Sequence, residues 1–429
     1  RDLHSFPTRR SSDLEKSKLV RTARLIANTI PMELDNLVLV TARAGIEVSR
    51  IQVERVPNGV ASGSGWTVVE SASNAHGERA LNAPDWTEED RLAISSRLFR
   101  ELKKSGFSVD AISIEGHRVT AYGSSRKFRF ASRNLGRAFR AIANNVPREI
   151  EELSVVTVRA GLELNRLTIR RKDLENAVER DGSTEEIWAH AKFENGSTDL
   201  FLPDRAIRND DRYPSMNWLI NPKLRTHLGG PSQFLLYQLY LTAGFDMDLL
   251  PGLSTTGRLR RNLYNNFGKI EFGSSSVLPH VRTDIKEYLQ ETRDFSIARV
   301  QADYIFKPVQ DWYGRVSAGI FEEMFGGFSA EVLHRPFKSR FAVGVDFNKV
   351  WKRGFEQRFK FQDYQVKTGH LNLYYEFPWK NISASAHIGQ YLAGDRGITF
   401  MGSREFDGGV KFGLWATFTN VSAEDFGEG

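Results

Sequence analysis

Five carboxylates stand where this sequence could do acid–base chemistry: Asp246 and Asp248 in Gly244-Phe-Asp-Met-Asp, Glu322 and Glu323 in Phe321-Glu-Glu-Met-Phe, and Asp303. Hydrolysis of a glycosidic bond needs two carboxyl groups facing each other across a sugar, about 5–10 Å apart. Spacing of one or two along a strand does not establish such a pair, and these read as lumen or loop charges. The nine His include no HExxH and no pair at metal-ligand spacing beside an acidic partner, and His334 in Leu333-His-Arg-Pro336 reads as structural. There is no GxSxG, no phosphate loop and no GxGxxG opening a helix; Gly326-Gly327 and Gly408-Gly409 are strand and turn glycines. With no Cys in 429 residues, disulfides, Cys-containing zinc sites, iron–sulfur centres and Cys nucleophiles are excluded. The residues call for no catalytic group, metal or cofactor.

A second kind of chemistry is suggested by arginine. From Arg118 to Arg148 there is no acidic residue, while Arg126, Arg129, Arg133, Arg137 and Arg140 step by three or four. On a helix that spacing makes a basic stripe. It is either a solvated helix face or a ligand-binding surface for an anionic chain such as an acidic polysaccharide, since Arg presents paired donors to carboxylates.

The elements that must position these residues fall into two halves. Of the 49 Phe, Trp and Tyr, 12 lie in residues 1–205 and 37 in residues 206–429. Between the halves runs a charged, Pro-bracketed segment, 202–214, with no apolar period, which reads as a linker. The balance of 59 Lys and Arg against 53 Asp and Glu leaves a small, dispersed positive excess, so nucleic acid is not implied as a partner. Residues 1–14 resemble an in-frame translation of a sequencing adapter and are expected to be foreign to the fold. The C-terminal end reads as a cut, so residues 15–429 are expected to be an internal piece of a longer protein.

The first half repeats itself. Shifting by 116 positions aligns Arg24–Arg55 with Arg140–Arg171, with 15 of 32 residues identical. Each copy reads as a helix end, a Pro stop at Pro31 or Pro147, and two strands around Ala44-Gly45 or Ala160-Gly161. Upstream of the second copy, Thr87 is a candidate N-cap, and Leu92, Ile94, Leu98 and Leu102 recur at helical spacing until Gly106. Strands are expected near 109–115 and 118–122 around Gly116-His117, and a second helix near 132–144. The expectation is an α+β class with duplicated small α/β sandwich modules: a partial first repeat over 15–60, a loop over 61–86, and a second repeat over 87–201.

The second half, 215–429, alternates with period two from Pro231 onward. Phe341, Val343, Val345 and Phe347 oppose Ala342, Gly344, Asp346 and Asn348. Val410, Phe412, Leu414, Ala416 and Phe418 oppose Lys411, Gly413, Trp415 and Thr417. The runs at 311–320, 371–377 and 381–388 follow the same rule. A soluble sandwich alternates too, but two features favour lipid on one face and water on the other. Trp312, Trp351, Trp379 and Tyr391 sit at segment ends, where an aromatic girdle belongs. Arg299, Asp303, Arg315, Asp346, Glu376 and Lys411 sit on the minority face, as lumen-facing residues would. The mean hydropathy of −0.41 then reflects strands that are half polar, and does not argue for solubility. The expected element is an antiparallel transmembrane β-barrel portion, incomplete at both ends.

Three stretches carry a resemblance: PSMNWLINPKLRTHLGGPSQFLLYQLYL (214–241), DWYGRVSAGIFEEMFGGFSAEVLHRPF (311–337) and FTNVSAEDFGEG (418–429). With them the chain resembles the YjbH family of exopolysaccharide-associated outer-membrane proteins over residues 15–429. The resemblance implies a Gram-negative outer-membrane barrel with periplasmic α/β modules. Its implied partners are the polysaccharide, other export-system proteins and the lipid bilayer of the outer membrane. The implied role is non-enzymatic, in exopolysaccharide export or surface assembly, and no catalytic residues carry over. A glycan-degrading enzyme and a general porin or adhesin remain the alternatives.

Overall fold

A computed structural model describes residues 36–43, 46–55, 66–73, 84–125, 127–179, 181–198, 206–228, 234–269, 276–291 and 295–426. The foreign-looking start, the first copy's helix and Pro31, the Ala44-Gly45 turn and Arg126 lie outside them. Two compact units result: Arg1–Val156 with Arg166–Glu194 and Pro203–Arg208, and Thr157–Asn165 with Asn195–Leu202 and Asn209–Gly429.

The first described elements are β1 (Asn36–Arg43), β2 (Ile46–Arg55) and β3 (Trp66–Ser73), an antiparallel three-stranded sheet in that order. Strand β3 occupies part of 61–86, where a loop was expected; Trp66-Thr-Val-Val is a β-branched, aromatic run that suits pairing with β2. Helix α1 (Glu88–Ser105) starts at a capping box, in which the Thr87 hydroxyl accepts from the Asp90 amide and the Asp90 carboxylate accepts from the Thr87 amide. It stops at Gly106, whose φ of 89° lies in the left-handed region that glycine enters without strain. Ile94, Leu98 and Leu102 are buried, whereas Leu92 is exposed and belongs to the solvent side.

Strands β4 (Ser108–Glu115) and β5 (Arg118–Ser124) follow, then α2 (Ala131–Ala143), β6 (Glu152–Arg159), β7 (Leu162–Arg170), α3 (Arg171–Glu179), α4 (Thr184–His190), β8 (Lys192–Asn195) and β9 (Ile207–Arg208). The sheet order is β8-β7-β6-β5-β4-β9. Helices α1 and α2 cover one face, where Ile112, Ile114, Val119, Ala121, Leu153, Val155, Leu167 and Ile169 meet Leu98, Leu102, Phe139 and Ile142. The repeated sequence gives a repeated hairpin: β1 and β2 start at Asn36 and Ile46, and β6 and β7 start 116 residues later at Glu152 and Leu162. The segment expected as a linker over 202–214 is partly structured, since β9 pairs with β4 and Asp210–Arg212 form a 3-10 turn.

The second unit holds β10 (Ser215–Leu228), β11 (Leu235–Leu250), β12 (Leu253–Asn265), α5 (Ile285–Glu291), β13 (Phe295–Val309), β14 (Trp312–Ile320), β15 (Phe325–His334), β16 (Phe341–Arg353), β17 (Phe361–Glu376), β18 (Ile382–Gln390), β19 (Arg396–Glu405), β20 (Lys411–Thr419) and α6 (Ala423–Phe426). Strands β10 to β20 form one eleven-stranded sheet in which each strand pairs antiparallel with the next in sequence. The sheet is open: β10 and β20 are its edges and do not pair with each other among the described residues. Pro222 fits in β10 because an edge strand leaves one row of amides outside the ladder. No helix among the described residues is long and apolar enough to cross a membrane.

Candidate functional site

Period-two alternation sorts each strand of the large sheet into two sets, and the surface exposure tells them apart. Phe341, Val345 and Phe347 of β16 are 48%, 56% and 53% exposed, while Ala342 on the opposite face is 7% exposed. The pattern extends across the sheet: Val316, Phe328, Val332, Leu371, Ile388, Phe400, Leu414 and Phe418 are all exposed. Ser317, Thr368 and Asn372 are buried polar residues on the other face. We call the first face outer and the second inner. A soluble protein buries its apolar face; here the apolar face is the uncovered one.

The inner face has three zones. In the middle, Asp346 accepts hydrogen bonds from Asn348 Nδ2 at 2.8 Å, Asn372 Nδ2 at 2.8 Å and His370 Nδ1 at 3.2 Å. A carboxylate only accepts, so the His370 proton sits on Nδ1. Asn372 Oδ1 meets His387 Nδ1 at 2.6 Å, and His387 Nε2 meets Ser385 Oγ at 3.1 Å, so the network crosses three strands. Nearby, Asp303 accepts from Ser317 Oγ at 2.5 Å and Gln301 Nε2 at 2.6 Å.

At the strand ends near Phe325 and Arg353, the segment carrying α5 folds back onto the inner face. Tyr288 packs with Met324, Phe325 and Val350, and Leu289 packs with Leu236 and Phe267. Burial pushes the Tyr288 phenol up, and the Asp284 charge adds to the effect. Arg353 is fully buried, a cation that is costly without partners. Its guanidinium donates to the carbonyls of Ile297 at 3.0 Å, Glu322 at 2.7 Å, Glu323 at 3.1 Å and Arg358 at 2.9 Å. Tyr288 Oη donates to the Arg353 carbonyl at 2.5 Å, and Lys352 Nζ pairs with Asp284. The turn between β14 and β15 is held by Glu323, which pairs with Arg225 of β10 and, at 2.6 Å, with Arg260 of β12. Burial alone would raise the Glu323 pKa, but the Arg260 and Arg225 guanidiniums outweigh it and hold the carboxyl below the usual range.

At the opposite strand ends lies a cleft of about 730 Å³ lined by β15 to β20, with Glu331, Tyr374, Glu376, Ser383, Ser403, Lys411 and Trp415 on its walls. Glu331 pairs with Arg315 at 2.7 Å and Glu376 with Arg335 at 3.0 Å.

The residues expected to face a lumen distribute over these zones. Asp303 and Asp346 lie in the middle band, and Arg315, Glu376 and Lys411 lie at or beside the cleft. Arg299 is exposed and donates from Nε to the Phe321 carbonyl at 3.0 Å, at a strand end. Tyr391 does not join a girdle: its ring lies 5.1 Å from His370 and its hydroxyl 2.7 Å from Thr399 Oγ1. The candidate carboxylates are engaged by partners. Asp246 meets Arg258 at 2.6 Å, Asp248 meets Arg212 at 3.1 Å and Glu322 meets Arg282 at 2.9 Å. No cluster of His, Asp and Glu among the described residues could hold a metal ion.

The basic stripe is shorter than expected. Arg129 precedes α2, so only Arg133, Arg137 and Arg140 share the helix. The Arg133 and Arg137 guanidiniums both lie over Phe128, at 4.3 and 5.2 Å from its centroid. Burial, and then Arg137, lower the Arg140 pKa. Sequence reasoning missed the Glu323 clamp, the Arg353 cage and the fold-back of α5. These couple residues far apart in the chain, and periodicity carries no signal for them.

Comparison with known proteins identifies the family. The family model for YjbH, described as "Exopolysaccharide biosynthesis protein YbjH", matches residues 65–429. A relative from Escherichia coli (strain K12), named "Uncharacterized lipoprotein YjbH", is 33% identical over 336 residues, covering 76% of this chain and 47% of the relative. The chain thus spans about half the length of the curated relative it matches. No solved structure matches. With most of its length matched by the family model and a third of the aligned residues shared with that relative, the chain belongs to the YjbH family of exopolysaccharide biosynthesis proteins.

Proposed function

We propose that this chain is part of a non-enzymatic outer-membrane component of exopolysaccharide export or surface assembly. The observation that carries the reading is the inversion of the large sheet, with exposed Val345, Phe347, Phe328 and Leu371 outside and the Asp346 network inside. Strands of about 9–11 residues suffice to cross a bilayer when tilted, and β13 to β20 run from 9 to 16 residues. An apolar outer face beside lipid loses no hydration, and a hydrogen-bonded inner face lines a wet interior, as in outer-membrane barrels. In this reading the eleven strands belong to a larger barrel, and the α/β modules lie in the periplasm, where they meet polymer or partner proteins. The relative's name as a lipoprotein supports an envelope location.

The non-enzymatic part of the reading is supported by the carboxylates, each engaged by a cation or donor rather than facing another across a space for a sugar. The full-length protein is expected to fractionate with the outer membrane and to resist extraction by salt and carbonate. Deleting its gene is expected to reduce polysaccharide outside the cell, and incubation with purified polymer is expected to release no reducing ends. Recovery in the soluble periplasm, or unchanged surface polymer in the deletion strain, would overturn it.

A further inference from the structure

We propose that the cleft at the β15–β20 end of the inner face is a binding subsite for an acidic oligosaccharide segment, with Trp415 as its stacking platform. The assignment rests on the polysaccharide reading above and names the ligand class and residues. Its volume of about 730 Å³ falls within the range of small-ligand sites, room for a few sugar rings. Trp415 pairs across the sheet with Met401 and shares the inner face with Ser403 and Gly413, yet it is 74% exposed. All of edge strand β20 from Lys411 to Phe418 is exposed, so what singles out Trp415 is its place in the cleft, beside Met401 and Ser403 on the inner face, where its ring is available to a ligand with an apolar flank. Pyranose rings offer that: one face of C–H bonds, with hydroxyls around the rim.

The rim chemistry is present as well. The Tyr374 hydroxyl has no hydrogen-bond partner among the described residues, and the Ser383 and Ser403 hydroxyls pair only with each other, at 2.9 Å. The charge balance selects an anionic ligand. The two carboxylates in the walls are neutralised, Glu331 by Arg315 and Glu376 by Arg335. Arg340 and Lys411, also in the walls, form no ion pair among the described residues. Two cations beside a ring platform fit a sugar carrying a carboxylate, such as a uronate, through charge-assisted hydrogen bonds.

The test is titration calorimetry of the purified full-length protein in detergent with hexagalacturonate, and with maltohexaose as the neutral match. Hexagalacturonate is expected to bind more tightly than maltohexaose, with affinity falling as salt is raised. Trp415→Ala is expected to weaken binding about tenfold, while Trp415→Phe stays within about threefold of the parent protein. The pair Arg340→Gln and Lys411→Gln is expected to abolish the preference for the acidic oligomer. Circular dichroism and gel filtration check that each variant is folded; should Trp415→Ala fail there, Trp415→Phe and the charge pair decide. No binding of hexagalacturonate, equal binding of both oligomers, or a folded Trp415→Ala protein binding as the parent does would overturn the subsite. Those failures leave the outer-membrane and export experiments untouched, so the two readings fall separately.

Discussion

Removing the Glu323 carboxylate is the sharpest perturbation the second unit offers. Glu323 sits in the turn between β14 and β15 and joins Arg225 of β10 to Arg260 of β12. Its side chain is 18% exposed, with Arg260 at 9% and Arg225 at 27%. Deleting one partner of a buried ion pair costs about 3–5 kcal/mol, because the other charge stays buried without compensation. Arg225 can still reach water, so the lower end applies, and Glu323→Ala is expected to destabilise by about 3 kcal/mol. Urea unfolding in detergent micelles, followed by tryptophan fluorescence, reads this as a lower midpoint at unchanged slope. Replacing the cluster with apolar groups (Glu323→Leu, Arg225→Met, Arg260→Met) is expected to recover most of the loss, since no charge is then left unpaired. The pH dependence has a definite sign. The folded carboxyl lies below its usual range, so the clamp's contribution is complete above the unfolded pKa and is lost as pH falls through the folded one. The stability gap between the parent protein and Glu323→Gln is therefore expected to stay level near neutrality and to close only in acid, below about pH 4. A loss under about 1 kcal/mol in Glu323→Ala, a triple variant no better than the single, or a gap that closes on raising the pH would refute the reasoning.

Three further outcomes are expected. Phe347→Arg on the outer face should cost about 2–4 kcal/mol and reduce assembly into the outer membrane if that face meets lipid, whereas a water-facing site would tolerate it; immunoblots of membrane fractions decide. Asp284→Asn leaves the buried Lys352 ammonium without its carboxylate and should loosen the α5 segment, seen as faster hydrogen exchange over Ile285–Glu291 with little change in the outer strands. Leu98→Ala removes a fully buried side chain from the α1 face of the first unit and should cost about 2–5 kcal/mol, read as weaker exchange protection of β4 and β5.

Helix α1 was readable because its signals are local: Thr87 and Asp90 make the cap, and Gly106 takes the left-handed turn that ends the helix. Leu92 shows the limit of that reading, since helical spacing alone did not reveal that it lies on the solvent side. Strand β3 was passed over because its neighbours on both sides are rich in Gly, Ser and Asn, which mask a short apolar run. The basic stripe was overextended for a related reason. Spacing of three or four counts as helical only where the backbone is helical, and α2 begins at Ala131, after Arg129.

By itself the sequence determined the two faces of the large sheet. A strand turns its side chains alternately to opposite sides, so Phe341, Val345 and Phe347 had to share one face and Asp346 and Asn348 the other. It also determined the repeated hairpin, because 15 identical residues in 32 specify the same local turns twice. Only the tertiary structure decided which groups meet across the sheet. Arg225 and Glu323 are 98 residues apart, and Lys352 and Asp284 are 68 apart. Their meeting depends on the register accumulated over several strand pairs and on a connection that folds back to seal one end. Trp415 illustrates both sides: its alternation assigned it to the polar face, but only the fold placed it in a cleft beside Tyr374, Arg340 and Lys411. Period two sets the direction of a side chain from its immediate neighbours, whereas a site is made by strands brought together from distant parts of the chain.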